Sequence, residues 1–174
     1  MSPVLEPGTL DFISHSEEQT RRLGAKLGKL LEAGQVIAVL GDLGCGKTRL
    51  AQGVGRGLDV PEDEVINSPT FTFVNEYEGR LSYYHIDLYR LTQTAEAETL
   101  GLDDYLYGDG VCLIEWANRL STLPTERLEV ELRYMDHSPV GDTKRRVIIR
   151  AFGAEHTNLL NAFKHLAFGV KTIN

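Results

Sequence analysis

The sequence predicts an α/β fold, in which a mixed sheet with an antiparallel hairpin is flanked by helices. Three observations indicate it. Short apolar runs typical of buried strands alternate with segments whose apolar residues recur on one helical face. The runs at 71–77 and 81–87 are rich in aromatic and β-branched residues and lie three residues apart, which is typical of a hairpin. A glycine-rich loop at 41–48 joins an apolar run to a helical pattern.

The first elements of the chain are a strand and a capped helix. The segment TLDFIS at 9–14 alternates loosely between apolar and polar residues, as a strand does. Ser16 followed by Gln19 forms a capping-box pattern, which marks the start of a helix. Three leucines lie on one face of that helix, namely Leu23, Leu27 and Leu30. Gly34 is expected to end it.

The loop GDLGCGKT at 41–48 follows the apolar run VIAVL and matches the pattern G-x-x-x-x-G-K-[ST]. Its glycines allow backbone N–H groups to surround an oxyanion, and the next helix adds the positive end of its dipole. Lys47 is expected to reach the outer phosphates of a nucleotide, and Thr48 to ligate Mg²⁺. The chain is therefore predicted to have a P-loop NTPase-like core. The predicted nucleotide contacts of this loop are Gly41, Gly44, Cys45, Gly46, Lys47, Thr48 and Arg49.

The remaining elements follow from the same patterns. Residues 49–58 predict a helix with Leu50, Val54 and Leu58 on one face. The polar, proline-marked segment 58–70 predicts a loop near the nucleotide and is a candidate switch. After the hairpin, the predicted elements are a partly helical acidic segment at 94–106, strands at 111–116, 126–135 and 144–152, and an amphipathic helix at 156–168.

Two carboxylates are candidates for completing a nucleotide site, because hydrolysis needs an acid associated with Mg²⁺ and a group that positions the attacking water. Glu115 closes the apolar run VCLIE and Asp87 closes SYYHID, so each is expected at the carboxyl edge of the sheet, where nucleotide sites form. The alternative for both is an exposed acid at a strand end. His85 is interpreted as the structural partner of a nearby acid, and the role of Arg90 stays open.

Length, composition and charge limit the class of protein. A chain of 174 residues with 42% hydrophobic residues predicts one domain spanning 1–174. It has no membrane-length apolar stretch and no secretion-signal layout, so a cytoplasmic location without membrane contact is expected. Neither Cys45 nor Cys112 is placed like half of a structural disulfide. A net charge of -7 argues against broad nucleic-acid binding, and Lys144, Arg145 and Arg146 are interpreted as a solvated strand edge.

Four motifs, in this order, resemble those of the bacterial TsaE family: GDLGCGKT, NSPTF at 67–71, HIDLYRL at 85–91 and LIEW at 113–116. The resemblance extends from about Asp11 to Met135, and a hairpin bearing HxDxYR makes it more specific than the phosphate loop alone. Members of this family are small ATPases required for making threonylcarbamoyladenosine in tRNA, at the adenosine next to the anticodon. The resemblance implies an ATP- and Mg²⁺-dependent ATPase, with Lys47 and Thr48 binding phosphate and Mg²⁺.

The same resemblance implies roles for residues outside the loop. Glu115 takes the metal-associated acidic role, and Asp87 supports hydrolysis. The NSPT segment is implied to be the switch loop, with Thr70 as its sensing hydroxyl. Glu17, at the start of the first helix, is implied to lie near the adenine. The family loop often has a smaller residue at the position of Cys45, so a thiol is expected beside the phosphates.

The partners implied by the resemblance are a subunit that transfers the threonylcarbamoyl group to adenosine and a related scaffold subunit. The ATPase would drive or reset their cycle, would be weak alone and stimulated by its partners, and would meet tRNA only indirectly. The negative net charge suits a chain that docks on a protein complex better than one that grips tRNA by itself.

Two other functions stay open on the residues alone. A small phosphotransferase would need a second substrate pocket and usually an arginine-bearing lid, for which Arg90 and Arg119 are the available candidates. A nucleotide-gated binding module would use the same loop without significant turnover. A guanine-specific switch is disfavoured because the Asn-Lys-x-Asp signature is absent from the sequence, so ATP is the expected nucleotide.

Overall fold

A computed structural model describes residues 7–69, 72–91, 100–136 and 139–169. Its strands are β1 (Thr9–Ser14), β2 (Val36–Leu40), β3 (Val74–Glu78), β4 (Ser82–Asp87), β5 (Val111–Glu115), β6 (Arg127–Tyr134) and β7 (Arg145–Phe152). These seven strands form one sheet in the order β1–β7–β6–β2–β5–β4–β3. The sheet therefore joins strands from both ends of the described chain.

The sheet is mixed, as the sequence predicts. The central strands are parallel, because β2 pairs in parallel with both β5 and β6, and β4 pairs in parallel with β5. The outer pairs β1–β7, β6–β7 and β3–β4 are antiparallel, and β3–β4 is the predicted hairpin. In register, Val39 and Asp87 lie on either side of Glu115. The parallel strands thus bring their carboxyl ends to one edge, the usual place for a ligand in such sheets.

The helices are α1 (Glu17–Leu30), α2 (Lys47–Gly57), α3 (Asp103–Leu106) and α4 (Ala154–Phe168), with a 3-10 helix at Ala117–Arg119. The predicted cap of α1 is confirmed, since Ser16 Oγ accepts a hydrogen bond from the Gln19 N–H at 3.0 Å. Gln19 Oε1 reaches back to the N–H of His15 at 2.5 Å. The helix ends before Gly34, which has a φ of 83° and forms the turn into β2 instead.

Several predicted boundaries shift. Helix α2 begins at Lys47, two residues before the predicted start, because the phosphate loop itself turns into its first residue. Of the predicted helical segment 94–106, residues 94–99 lie outside the described part of the chain, and helix occupies only Asp103–Leu106. The 3-10 helix after β5 is not predicted by the sequence patterns.

Apolar side chains cover both faces of the sheet. Helices α1, α2 and α4 pack on one face, where Leu27, Val54 and Phe163 are almost fully buried in a common cluster. The segments after β4 and β5, together with α3, pack on the other face and bury Leu88 and Leu106. Among the described helices, none has the length and apolar character needed to cross a membrane.

The prediction of a solvated strand edge at 144–146 is wrong for Arg145 and Arg146, whereas Lys144 is exposed and precedes β7. β7 lies between β1 and β6 and pairs with both, because the N-terminal strand adds to the sheet outside it. Arg146 donates to Asp11 from Nε at 3.0 Å and from Nη2 at 2.5 Å. Arg145 is buried and donates to the backbone carbonyls of Asp142 and Lys144 at 2.7 and 2.8 Å.

Candidate functional site

The phosphate loop connects the carboxyl end of β2 to the N-terminus of α2. Two of its glycines are required by geometry. A Cβ at Gly41 would lie 2.6 Å from the carbonyl oxygen of Leu132, and Gly46 adopts the left-handed conformation with a φ of 101°. Gly46 is also the N-cap of α2 and supplies no side chain to cap it. The first N–H groups of α2 are therefore left available to a bound anion.

A cavity of about 270 Å³ lies over this loop. It is lined by residues from the loop, the start of α1, the 58–70 segment and the ends of β4 and β5: Glu17, Leu43, Gly44, Gly46, Lys47, Thr48, Arg49, Ser68, Asp87, Tyr89, Glu115 and Trp116. The structure thus brings together most of the residues that the sequence nominated separately.

Lys47 lies inside the loop and is only 4% exposed. Its Nζ donates hydrogen bonds to the carbonyl oxygens of Gly41 at 2.7 Å and Asp42 at 2.6 Å, and lies 4.3 Å from the centre of the Trp116 ring. Burial lowers the pKa of Lys47, while the nearby Cys45 and acidic residues oppose that shift. The ammonium group is therefore held at the floor of the cavity by dipoles and an aromatic face.

Glu115 is the centre of a buried hydrogen-bond network. Its Oε2 lies 2.5 Å from Nε2 of His85, and its Oε1 accepts from Thr48 Oγ1 at 3.1 Å. Ser68 Oγ joins the group at 2.9 Å from Thr48 Oγ1 and donates to Glu115 Oε2 at 3.4 Å. Glu115 is 2% exposed and His85 is fully buried, so the alternative of a solvated strand-end acid does not apply to Glu115. The interpretation of His85 as the structural partner of an acid is confirmed.

Ser68 is the member of this network that the sequence did not single out. The motif NSPTF was identified as a switch, but its assigned hydroxyl was Thr70, which lies outside the described residues. Nothing local distinguishes the two hydroxyls in the sequence. Ser68 lies near Thr48 because residues 58–68 return to the start of α2.

The oxygen atoms of Thr48, Ser68 and Glu115 are suitable for Mg²⁺, which prefers hard oxygen ligands. No group of three or more His, Cys, Asp or Glu side chains that would cage a metal occurs in the described chain. Mg²⁺ commonly uses one or two carboxylates together with substrate phosphates and water, so one buried glutamate beside two hydroxyls over a phosphate loop fits that mode.

Asp87 lines the same cavity, opposite Glu115 across the β4–β5 pair. Its Oδ1 accepts a hydrogen bond from the Tyr89 N–H at 2.9 Å. Burial raises the pKa of Asp87 and the Glu115 charge raises it further, whereas the Tyr89 hydrogen bond opposes the shift. Asp87 therefore holds a proton more readily than an ordinary aspartate does.

Glu17 and Arg49 form the wall at the start of α1, with Glu17 Oε2 3.6 Å from Arg49 Nε. The pair is partly exposed, so it contributes little stability and its charges face the cavity rim. Arg90 is exposed and lines a neighbouring cavity of about 220 Å³, which shares Ser68, Asp87 and Tyr89 with the first.

The expected position of the Cys45 thiol is wrong. Cys45 is 1% exposed and belongs to the apolar core cluster, so its side chain turns away from the cavity. Its N–H donates to the carbonyl oxygen of Asp42 at 3.2 Å and closes a turn within the loop.

Trp116 adopts a left-handed conformation with a φ of 58°, a strained geometry for a residue with a bulky side chain. Its ring centre lies 5.1 Å from that of Tyr89 and 5.4 Å from the Arg119 guanidinium carbon. Arg119 also donates to the carbonyl oxygen of Leu91 at 2.8 Å. The arginine thus packs on the aromatic pair and does not extend over the phosphate loop as a lid.

Comparison with known proteins gives a consistent set of similarities. Residues 14–147 match the family model described as threonylcarbamoyl adenosine biosynthesis protein TsaE. The tRNA threonylcarbamoyladenosine biosynthesis protein TsaE of Bacillus subtilis is 38% identical over 144 residues, covering 82% of this chain and 85% of the relative. That of a Nostoc species is 47% identical over 125 residues, covering 69% and 75%. The crystal structure of Bacillus subtilis YdiB has a TM-score of 0.76 and 30% identity, covering 93% of this chain and 98% of that one.

Proposed function

We propose, since this chain belongs to the TsaE family, that it binds and hydrolyses ATP for threonylcarbamoyladenosine modification of tRNA. Its place in threonylcarbamoyladenosine biosynthesis follows from family membership. The ATPase activity is supported by one observation above all. Lys47, Thr48, Asp87 and Glu115, drawn from three separate strand ends, line a single cavity over a phosphate loop.

The first step is the binding of the outer phosphates. The N–H groups at the start of α2 and the loop backbone supply neutral donors, and Lys47 adds a point charge. Lys47 donates to the carbonyls of Gly41 and Asp42, so its ammonium lies within the loop where phosphates enter and exchanges these contacts for phosphate oxygens on binding.

Thr48, Ser68 and Glu115 are the residues that would hold Mg²⁺. Bound there, Mg²⁺ would neutralise charge on the outer phosphates. His85 acts on this group through Glu115. The 2.5 Å contact between Nε2 and Oε2 fixes the carboxylate in its buried position, so Oε1 stays directed at Thr48.

Asp87 is assigned to the attacking water. It lies in the cavity beside Glu115, and its raised pKa brings it closer to the range in which a carboxylate accepts a proton effectively. Tyr89 holds one oxygen of Asp87 through its backbone N–H, which leaves the other oxygen for water.

The proposed partners are the threonylcarbamoyl transferase subunit and its scaffold subunit, whose cycle ATP hydrolysis would drive or reset. Contact with tRNA is indirect and the protein acts in the cytoplasm. A net charge of -7 supports docking on proteins over direct binding of a polyanion.

The decisive experiment measures ATP hydrolysis by the chain alone and with each candidate partner, using ATP labelled on its outer phosphate. Lys47→Ala should abolish useful ATP binding, because the backbone donors cannot replace its charge. Glu115→Ala and Asp87→Ala should keep nucleotide affinity but slow single-turnover hydrolysis at least about tenfold, the factor for a lost transition-state contact of about 1.4 kcal/mol. Lys29→Ala, at the exposed end of α1, is the matched control for charge removal.

Three results would contradict the proposal. Lys47→Ala binding ATP within a few-fold of the wild-type chain would remove the phosphate role of Lys47. Labelled phosphate appearing on a small acceptor would indicate a phosphotransferase. Unchanged single-turnover rates in the Asp87 and Glu115 variants would reject their catalytic assignment, and variants with unharmed partner binding and cellular function would favour a nucleotide-gated binding module.

A further inference from the structure

The ends of β6 and β7 lie beside the outer surface of the phosphate loop. Tyr134 and Arg145 are register partners on these strands. The hydroxyl of Tyr134 donates to the carbonyl oxygen of Leu43 at 2.6 Å, and Nη2 of Arg145 donates to the carbonyl oxygen of Gly44 at 3.4 Å. Tyr134 and Arg145 therefore contact two consecutive peptide groups of the loop from the side.

The contact to Leu43 determines the direction of an N–H group. A peptide unit is planar, and its C=O and N–H point in opposite directions. The carbonyl of Leu43 and the N–H of Gly44 belong to one such unit, so a carbonyl held toward Tyr134 directs the Gly44 N–H to the other side. Gly44 lines the cavity over the loop and Tyr134 does not. The Gly44 N–H is therefore turned to the side where a phosphate would bind.

From this geometry we infer that Tyr134 is a positioning residue for phosphate binding, which fixes the Gly44 N–H as an anion donor before nucleotide arrives. The inference rests on the proposed nucleotide-binding function. Preorganised donors bind an anion more tightly because no free energy is spent on orienting them at the moment of binding. The loop tip needs such support, since Leu43 and Gly44 are both exposed and few core contacts hold them.

Arg145 keeps the tyrosine ring in place. Its guanidinium carbon lies 4.5 Å from the centre of the Tyr134 ring, and its Nη1 is held by the carbonyls of Asp142 and Lys144. The arginine is buried, whereas the tyrosine is 46% exposed. A buried arginine held by two carbonyls therefore supports the face of a partly exposed ring. Gly44 allows the close approach, because a Cβ there would lie 2.8 Å from the Tyr134 hydroxyl.

A purely structural role for Tyr134 gives a different expectation. Its hydroxyl is at the surface and bonds to the carbonyl of a residue that is itself 65% exposed. Water can replace an exposed hydrogen bond of this kind, so its loss should change global stability very little. A change in nucleotide affinity without a change in melting temperature would therefore separate positioning from structural support.

The test is Tyr134→Phe, which removes the hydroxyl and keeps the ring on Arg145. Calorimetry with MgATP and with MgADP should show binding roughly threefold to tenfold weaker than wild type for both, the range for one net hydrogen bond. The melting temperature without nucleotide should match that of the wild-type chain. Tyr107→Phe, at a tyrosine that is 68% exposed and does not line the cavity, is the matched control and should leave both measurements unchanged.

The possible outcomes separate this inference from the proposed function. If the wild-type chain binds nucleotide and Tyr134→Phe binds it equally well, the positioning role is overturned and the proposed function stands. If the wild-type chain binds neither MgATP nor MgADP, both are overturned. A Tyr134→Phe variant with a lowered melting temperature and unchanged affinity of the folded fraction would assign the residue to structural support and overturn the positioning role.

Discussion

The crossing of α1 and α2 depends on four glycines, and Gly53→Ala is the sharpest perturbation of it. Gly24 and Gly28 of α1 face Gly53 and Gly57 of α2 across the closest contact of the two helices. A Cβ on Gly53 would lie 2.0 Å from the carbonyl oxygen of Arg21 and 3.1 Å from the backbone nitrogen of Ala25. Both neighbours are backbone, so no change of rotamer relieves the overlap.

The magnitude follows from two opposing effects. The closest contact would have to open from 2.0 Å to at least 3.0 Å, the shortest distance that Cβ atoms show, which displaces one helix by about 1 Å. Overpacking of this kind lowers the free energy of unfolding by about 1–3 kcal/mol. Alanine in place of glycine within a helix raises it by up to about 1 kcal/mol. Because the overlap is with rigid backbone, we expect a net loss of about 2 kcal/mol in the free energy of unfolding. In a chain of this size, the melting temperature should fall by about 4–8 °C.

Urea unfolding followed by circular dichroism measures this loss directly, and Gly55→Ala is the matched control on the same helix. There the added Cβ meets side-chain atoms only, the terminal Cδ1 of Ile66 at 2.3 Å and the Tyr83 ring at 3.1 Å, and these can shift where backbone cannot. The control should therefore change stability by less than about 1 kcal/mol. A Gly53→Ala chain as stable as wild type, or no less stable than Gly55→Ala, would refute the steric reasoning. Since Glu17 and Lys47 begin the two helices, nucleotide affinity should fall as well.

Two further predictions concern Trp116 and His156. Nucleotide should withdraw Lys47 from the ring of Trp116, the only tryptophan in the sequence, which now lies 4.3 Å from the ammonium. The fluorescence emission of Trp116 should therefore change, and it should change more with MgATP than with MgADP. Identical spectra of the apo, MgADP and MgATP forms at saturation would contradict this. Burial lowers the pKa of His156, whose Nε2 accepts from the Val36 N–H at 3.2 Å, although Glu126 and Glu155 oppose the shift. The unfolded chain then binds the proton first, so stability should be full above about pH 6.5 and fall below it by at most about 1.4 kcal/mol per pH unit. His156→Gln keeps an acceptor without titrating, so its unfolding free energy should fall less between pH 7 and 5, and an equal fall in both chains would exclude this role.

Part of the candidate site could be predicted because its signals are local. The loop GDLGCGKT specifies its own turn and the start of α2 through residues that are adjacent in the chain. Glu115 and Asp87 were identified because each follows an apolar run, and strands that run in parallel bring such ends to one edge. The order of the strands is not needed for this inference. Their common direction is enough.

Other features have no local signal. Ser68 and Thr70 are equivalent in the sequence, and only the path of the chain brings the Ser68 hydroxyl to 2.9 Å from Thr48. The burial of Cys45 depends on which way one turn of the loop faces, and side-chain direction is not encoded in the spacing of glycines. The sequence pattern for a phosphate loop constrains its backbone and leaves these choices to packing.

The sequence by itself determined the elements whose stability is short-range: the capped start of α1, the hairpin, the phosphate loop and the alternating strands. Outside the hairpin, tertiary structure alone decided which strands are neighbours, because pairing energy is similar for many partners and depends on burying one face of each. β1 pairs with β7 across most of the chain, so Arg145 and Arg146 lie on an inner strand and not at the predicted edge. The parallel pairing of β6 with β2 brings Tyr134, and with it Arg145 on β7, to the phosphate loop, about 90 and 100 residues away in sequence, where no local pattern would place them.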